Sequence, residues 1–272
     1  MCVVAVLAGG SDGRVVVPLR LDPRSLTEPT DARLLRTTDE AVRGIAAIMA
    51  KQFGLPVPAR VVVHVYHGRR AFEQGLIRDA RVSPVQAATL SGFAIGVGTR
   101  GQVLLNERPA DRTEREWLRL IAHELTHVSQ IELAGGEERG EQWLAEGMAE
   151  YVAFSTLERL RLDTLERRRQ AATAELRIHP TLLQDALDLE DHGTPQGFTA
   201  WHLRDGALPV YQLAFLLADD LIERRGFDRT RVYFASFRRS GERRANFAAA
   251  FGQGLAEFAA DALARLKKAS AF

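Results

Sequence analysis

The pattern His123-Glu124-Leu125-Thr126-His127 constrains this chain more than any other stretch, and it lies in a segment, Thr113 to Leu133, that predicts one helix. Two histidines four residues apart lie one turn apart on the same helical face, so both imidazoles can reach one metal ion while Glu124 sits beside them. The alternative is a pair of core histidines with ordinary hydrogen bonds. A five-residue pattern also arises by chance, so a metal site requires a third ligand.

A candidate third ligand lies in the segment Trp143 to Tyr151, which again has helical spacing and follows the pair Gly135-Gly136. Two helices joined by such a turn can pack antiparallel, and Glu146 could then bring a carboxylate to an ion held by His123 and His127. Two imidazoles and one carboxylate leave a fourth zinc position for water, which is typical of catalytic zinc. The three residues together predict a zinc centre with an open position.

These two segments resemble the gluzincin metallopeptidases, in particular the small bacterial branch described as peptidase MA-like. The resemblance is carried by H-E-x-x-H at 123–127 and, after eighteen intervening residues, by the glutamate of W-L-x-E-G-x-A-E-Y at 143–151. Both helices are similar to those of the gluzincin aminopeptidases and, more distantly, of thermolysin. The resemblance is strong over 113–154, weaker over 205–266 and only suggestive before 110. It implies a zincin-like fold and a zinc-dependent hydrolase of peptide bonds.

Zinc chemistry gives the central residues their expected roles. A zinc ion held by His123, His127 and Glu146 lowers the pKa of its bound water to about 7. Glu124 is then placed to take the proton of that water as general base and to pass it to the leaving amine. Glu150 follows Glu146 by one turn and, as the resemblance also implies, could accept the outer N–H of a ligand histidine. A surface glutamate is the alternative for Glu150.

A tetrahedral intermediate also needs a hydrogen-bond donor for its oxyanion. The resemblance implies that Tyr211 supplies it, because the run from Tyr211-Gln212-Leu213-Ala214 to Gly226 is similar to the family segment whose tyrosine does so. The aminopeptidase form has glycine where Ala214 stands. A core aromatic is the alternative for Tyr211, and His202 is a rival donor. Trp143 and Trp201 could line a pocket, although packing is the favoured use of each.

Composition excludes several other classes of protein. Lys and Arg number 36 against 35 Asp and Glu, for a net charge of +1. The chain therefore lacks the excess of positive charge that is typical of nucleic-acid-binding proteins. Cys2 is the only cysteine, which excludes an internal disulfide and a thiolate metal cluster. The start, Cys2 to Gly10, is a poor signal peptide and favours a strand. With no run long enough to span a membrane, we expect a soluble chain, whose compartment and oligomeric state stay open.

Periodicity predicts an α+β fold with two parts. Residues 1–110 are expected to form a mixed sheet-and-helix subdomain, with strands at Arg14–Leu21 and Ala59–Tyr66 and a helix that Gly54 ends. The apolar runs Phe93–Val97 and Val103–Leu105 predict a hairpin. Residues 111–272 are expected to form a mainly helical subdomain, in which 178–207 is the least regular stretch. The helix with both histidines is expected to need packing partners on two faces.

The resemblance also implies that an edge strand, here Ser91 to Gly98, pairs with the backbone of an extended substrate. An ordinary core hairpin is the alternative. The Gly-Ala-Met-Glu-Asn motif of the aminopeptidases is absent, which argues against trimming of free amino termini. A non-catalytic gluzincin-like scaffold that binds a protein or peptide is the rival function, and a structural zinc site is a third. The intact ligand set with Glu124 argues against the scaffold, and three apparent protein ligands with no nearby cysteine argue against a structural zinc site. Substrate identity and endo- or exo-attack stay open.

Overall fold

The computed structural model describes residues 13–107, 113–184 and 187–270, and the chain forms two compact units. One unit comprises residues 1–129 and 159–162, and the other comprises 130–158 and 163–272. The described part of the first combines a small mixed sheet with helices, and that of the second is helical, so the predicted α+β class is confirmed. The predicted division at residue 110 stays a prediction. The strand expected at Cys2 to Gly10 lies outside the described residues.

Within the described residues, four strands form the sheet of the first unit: β1 (Arg14–Arg20), β2 (Arg60–His67), β3 (Gly96–Thr99) and β4 (Gln102–Glu107). Their order is β1-β2-β4-β3, in which β2 and β4 are parallel and the two outer pairs are antiparallel. The predicted strands at 14–21 and 59–66 are confirmed to within a residue at each end. A mixed sheet of this kind needs helices on its faces, because its central strands are apolar on both sides.

The described helices of the first unit are α1 (Thr38–Phe53), α2 (Arg69–Arg78), α3 (Pro84–Phe93) and α4 (Glu114–Leu133), whose last turn falls in the second unit. Thr37 and Glu40 form a capping box at the start of α1, and Gly54 ends it with a positive φ of 59°, as predicted. A cluster of Tyr66, Phe72 and Leu76 fixes α2 against β2 and β4. These contacts bury one face of the sheet.

The predicted hairpin is present, but its first strand is shorter than expected. Residues 91–93 belong to α3, whose first turn is set by Ser83 as cap and Pro84 as first helical residue, so the strand expected from Ser91 begins only at Gly96. Among the described strands, β3 is an edge strand paired only with β4. The role in substrate binding that the resemblance implies for Ser91 to Gly98 stays a prediction.

Helix α4 is buried on more than one face, as its sequence predicts. Leu118, Ile121 and Val128 form its apolar stripe and are buried, and His123 is buried as well. The Ser129 hydroxyl donates to the carbonyl of Pro56 at 2.9 Å, which anchors the helix within the first unit. A helix with such limited solvent contact holds its side chains in fixed positions.

The second unit is built from helices that pack around aromatic side chains. They are α5 (Gln142–Arg159), α6 (Leu165–Ile178), α7 (Pro195–Asp205), α8 (Ala207–Arg225), α9 (Phe227–Ser236), α10 (Arg243–Phe251) and α11 (Leu255–Ser270). Trp143 stacks on Phe258 with centroids 5.7 Å apart and is fully buried, so it packs in the core. The stretch 178–207, predicted as irregular, contains α7. No helix in the described ranges combines the length and apolar character needed to cross a bilayer.

Candidate metal centre

The two histidines of α4 face the same point. Their Nε2 atoms lie 3.1 Å apart and their ring centroids 4.8 Å apart, because residues at i and i+4 project one above the other. His123 is buried and His127 is half-buried. Two imidazole nitrogens that each lie about 2.0–2.1 Å from one tetrahedral zinc are roughly 3.3 Å apart from each other. The observed separation is therefore close to that of two ligands on one ion.

Glu124 lies against the backbone of the edge strand β3. A Cβ built on Gly96 would come within 2.7 Å of the Glu124 carboxyl carbon, and a Cβ on Gly98 would come within 2.9 Å of the His127 Cβ. Only glycine leaves room at these two positions for the helix to approach so closely. Glu124 itself is 4% exposed. The alternation of Gly96 and Gly98 was the sequence signal for this contact, and sequence reasoning missed it.

Glu146, on α5, is buried and held by a neighbour on its own helix. The side-chain amide of Gln142 donates to Glu146 Oε1 at 2.9 Å. The side-chain amide of Gln130 donates to the carbonyl of Ala145 at 2.9 Å, which fixes the backbone next to Glu146. His123 and His127 lie in the first unit and Glu146 in the second, so the predicted role of Glu146 as the third ligand stays a prediction.

Glu150 and the rival oxyanion donors lie in the second unit. Glu150 is buried one turn after Glu146, and its predicted role toward a ligand histidine stays a prediction. Tyr211 and His202 belong to one aromatic group around Phe198, with Phe198 5.5 Å from Tyr211 and His202 6.3 Å from Tyr211 between centroids. The two candidate oxyanion donors therefore lie next to each other, and which of them donates stays open.

The charge of Glu146 acts on His202. Burial lowers the pKa of His202, and the Glu146 carboxylate opposes this shift by favouring the protonated imidazole. The net lowering leaves His202 neutral near pH 7, so one of its ring nitrogens carries a proton and the other can accept one. A neutral imidazole at this place can donate one hydrogen bond.

Comparison with known proteins adds no family: no protein-family model, curated protein or solved structure matches this chain. The resemblance to gluzincins therefore rests on the residues at 123–127 and 143–151 and stays a prediction.

Proposed function

We propose that this protein is a zinc-dependent metallopeptidase of the gluzincin type. The observation that carries the proposal is the pair of Nε2 atoms of His123 and His127, 3.1 Å apart on a buried helix with Glu124 between them in sequence. A structural role for two such histidines would not require a buried carboxylate beside them. Glu146 is proposed as the third ligand, because the resemblance places a ligand glutamate at this spacing after the two histidines.

The donor set fits zinc better than it fits other common ions. Two imidazoles and one carboxylate suit Zn²⁺, whereas Mg²⁺ and Ca²⁺ prefer oxygen ligands throughout. A zinc ion held by His123, His127 and Glu146 would supply an activated water for hydrolysis.

Other residues of the chain are proposed to perform the proton transfer, the substrate binding and the stabilisation of the oxyanion. Glu124 takes a proton from the attacking water and donates it to the leaving amine, which needs a carboxylate held in a fixed position. Its burial against Gly96 provides that position. The edge strand β3 offers backbone N–H and C=O groups to an extended peptide, which would lie beside Glu124. Tyr211 or His202 is proposed to donate a hydrogen bond to the oxyanion.

We also propose that the α+β fold is zincin-like. The features in support are a small mixed sheet with β3 at its edge and the histidine helix packed directly against that strand through Gly96 and Gly98. The rival function, a non-catalytic scaffold that binds a protein or peptide, would use the same edge strand. It has no need of Glu124, because a carboxylate that performs no chemistry is costly to bury.

Metal analysis combined with a Glu124→Gln variant tests the proposal. We expect the purified protein to hold one zinc per chain and to cleave a generic peptide library, and we expect the variant to keep its zinc while cleavage falls by about 10²-fold or more. Glu114→Gln, the same change at an exposed position on the same helix, serves as the matched control and should cleave normally. If the zinc-loaded Glu124→Gln variant cleaves as fast as the wild type, Glu124 is not the general base.

A second pair of variants tests the ligand set. Glu146→Gln should lose most zinc affinity, whereas Glu150→Gln, one turn further along, should weaken zinc binding by about 10–100-fold if it supports a ligand histidine. Zinc affinity is measured by competition with a chelator of known affinity. If the Glu146→Gln variant and the wild type have the same zinc affinity, Glu146 is not a zinc ligand. If the wild type binds one zinc per chain but cleaves no peptide, the result favours the non-catalytic scaffold.

A further inference from the structure

Gln142 is the first residue of α5 and precedes Glu146 by about one helical turn. Its side chain is half-buried, and Glu146 is 8% exposed. The Gln142 side-chain amide donates to Glu146 Oε1 at 2.9 Å. Residues four apart lie on the same face of a helix, so the contact is formed entirely within α5. The proposed reaction assigns no role to the residue that donates this hydrogen bond.

The chemistry of the two groups fixes the direction of the hydrogen bond. An ionised carboxylate has acceptor oxygens and no donor, so the amide must present its NH₂ group to Glu146. The amide is also neutral. A lysine or arginine at this position could donate as well, but its positive charge would repel a divalent cation. Gln142 therefore holds one oxygen of the carboxylate without opposing the binding of a metal ion.

The backbone on both sides of Glu146 is held in place by other parts of the second unit. The backbone N–H of Gln142 donates to the carbonyl of Gly193 at 2.9 Å. On the other side, a Cβ built on Gly147 would lie 2.1 Å from the carbonyl oxygen of Ala214, so α5 is packed directly against the backbone of α8. The remaining freedom of Glu146 lies in the rotatable bonds of its side chain. The amide of Gln142 restricts that freedom.

A second pair of the same kind shows what burial adds. On α6, the side-chain amide of Gln170 donates to Glu166 Oε1, also at 2.9 Å and also between residues four apart. The Glu166 side chain is 65% exposed, so water can replace the amide when that bond breaks. Glu146 is buried, and the loss of its amide donor is not made good so easily. The bond in α5 therefore restricts its carboxylate more strongly than the bond in α6.

We infer that Gln142 is a positioning residue, which orients the carboxylate of Glu146 for the metal ion. The inference rests on the proposed function, in which Glu146 is the third zinc ligand. Carboxylates that bind a metal are themselves held by hydrogen bonds, and removal of such a partner lowers metal affinity by about 10–100-fold. Zinc in proteins is bound by imidazole, thiolate and carboxylate groups, so the amide of Gln142 acts through Glu146 and not as a ligand.

Zinc affinity of a Gln142→Met variant tests the inference. Methionine removes the donor but keeps the length of the side chain and a similar helix propensity. We expect zinc to bind about 10–100-fold more weakly in competition with a chelator, while denaturant unfolding of the metal-free chain stays close to that of the wild type. Gln142→Ala also lacks the amide and should show a loss of similar size. Unchanged zinc affinity in both variants would overturn the inference.

Two controls separate positioning from a general effect on the fold. Gln170→Met breaks the same kind of bond on α6 and should leave zinc affinity unchanged. In a Glu146→Gln background the carboxylate is absent, so the additional change Gln142→Met should lower the residual zinc affinity by less than about twofold, measured by direct calorimetric titration. A loss as large as in the chain with Glu146 would mean that Gln142 acts through the fold, and it would overturn the inference.

The same measurements distinguish failure of this inference from failure of the proposed function. If Glu146→Gln weakens zinc binding and Gln142→Met does not, the proposed ligand stands and the inference is refuted. If neither variant changes zinc affinity, Glu146 is not a ligand, and both are refuted. If Gln142→Met weakens zinc binding but the zinc-loaded wild type cleaves no peptide, the inference is supported and the peptidase is refuted.

Discussion

Glu141 stands immediately before α5, the helix that carries Glu146, and it is the most deeply buried carboxylate among the described residues. Its side chain is 0% exposed, and Arg243 donates to its Oε2 at 3.1 Å. A Cβ built on Gly193 would lie 2.7 Å from the carboxyl carbon, so no water fits on that side. The phenol of Tyr233 accepts the Glu141 backbone N–H at 2.9 Å. We predict that Glu141→Gln changes how stability depends on pH.

The sign and the size of this pH dependence follow from the pKa of Glu141. Burial raises the pKa of Glu141 from 4.5 to about 7, and the nearby Glu190 adds to this, while Arg243 and Arg244 oppose it. Between these two pH values the folded chain keeps a proton that the unfolded chain has released, so stability falls as pH rises. At about 1.4 kcal/mol per pKa unit, the loss is about 3 kcal/mol at most. This loss of stability is absent below the pKa of Glu141 in the unfolded state and complete above its pKa in the folded state.

Denaturant unfolding of the wild type and Glu141→Gln across this pH range provides the measurement. The variant does not titrate at this position, so the free energy of unfolding of the variant minus that of the wild type should rise by up to about 3 kcal/mol between about pH 4 and about pH 8. Glu137→Gln, at a side chain that is 67% exposed, is the control and should give a flat difference. A difference for Glu141→Gln that stays flat or falls with pH would mean that attraction to Arg243 outweighs desolvation, and the reasoning would be refuted.

Three further outcomes follow from the structure. Gly147→Ala would place a Cβ 2.7 Å from the backbone carbonyl carbon of Ala214, so it should destabilise the fold by about 1–3 kcal/mol in denaturant unfolding, and an unchanged midpoint would contradict the close approach of α5 and α8. Gly96→Ala would place a Cβ 2.7 Å from the carboxyl carbon of the buried Glu124, so it should lower peptide cleavage by about 10²-fold and stability by about 1–3 kcal/mol in denaturant unfolding, and unchanged cleavage would contradict the role of Gly96 in positioning Glu124. Removal of zinc by a chelator should lower the melting temperature, and added zinc should restore it, since an ion that binds only the folded chain stabilises it.

The sequence alone predicted the parts of the fold in which local signals agree. The period of apolar residues and Gly54 placed α1, and the β-branched run from Ala59 to Tyr66 placed β2. Spacing of four residues placed His123 and His127 on one helical face, where the structure has them. These features depend on neighbours within one or two turns of chain, so a pattern in the sequence is enough to predict them.

The sequence misjudged segments whose local pattern allows two structures. The apolar run from Phe93 to Val97 favoured a strand, whereas α3, which starts at the Ser83 cap and Pro84, continues to Phe93 before β3 begins at Gly96. The stretch 178–207 was predicted to be the least regular because its glycines and prolines mark turns, yet Pro195 at the first helical position starts α7. In both segments a helix start signal outweighed the pattern of the residues that follow it.

Sequence by itself determined which side chains could form a metal site and which helices carry them, because those facts depend on residue type and short spacing. Only the tertiary structure decided that Gly96 backs Glu124, that Arg243 meets Glu141, and that His192 lies flat on Trp201. Glu141 and Arg243 are 102 residues apart in the chain. The physical reason is that burial and the pKa shifts it causes arise from atoms brought together by packing, and no local pattern in the chain records them.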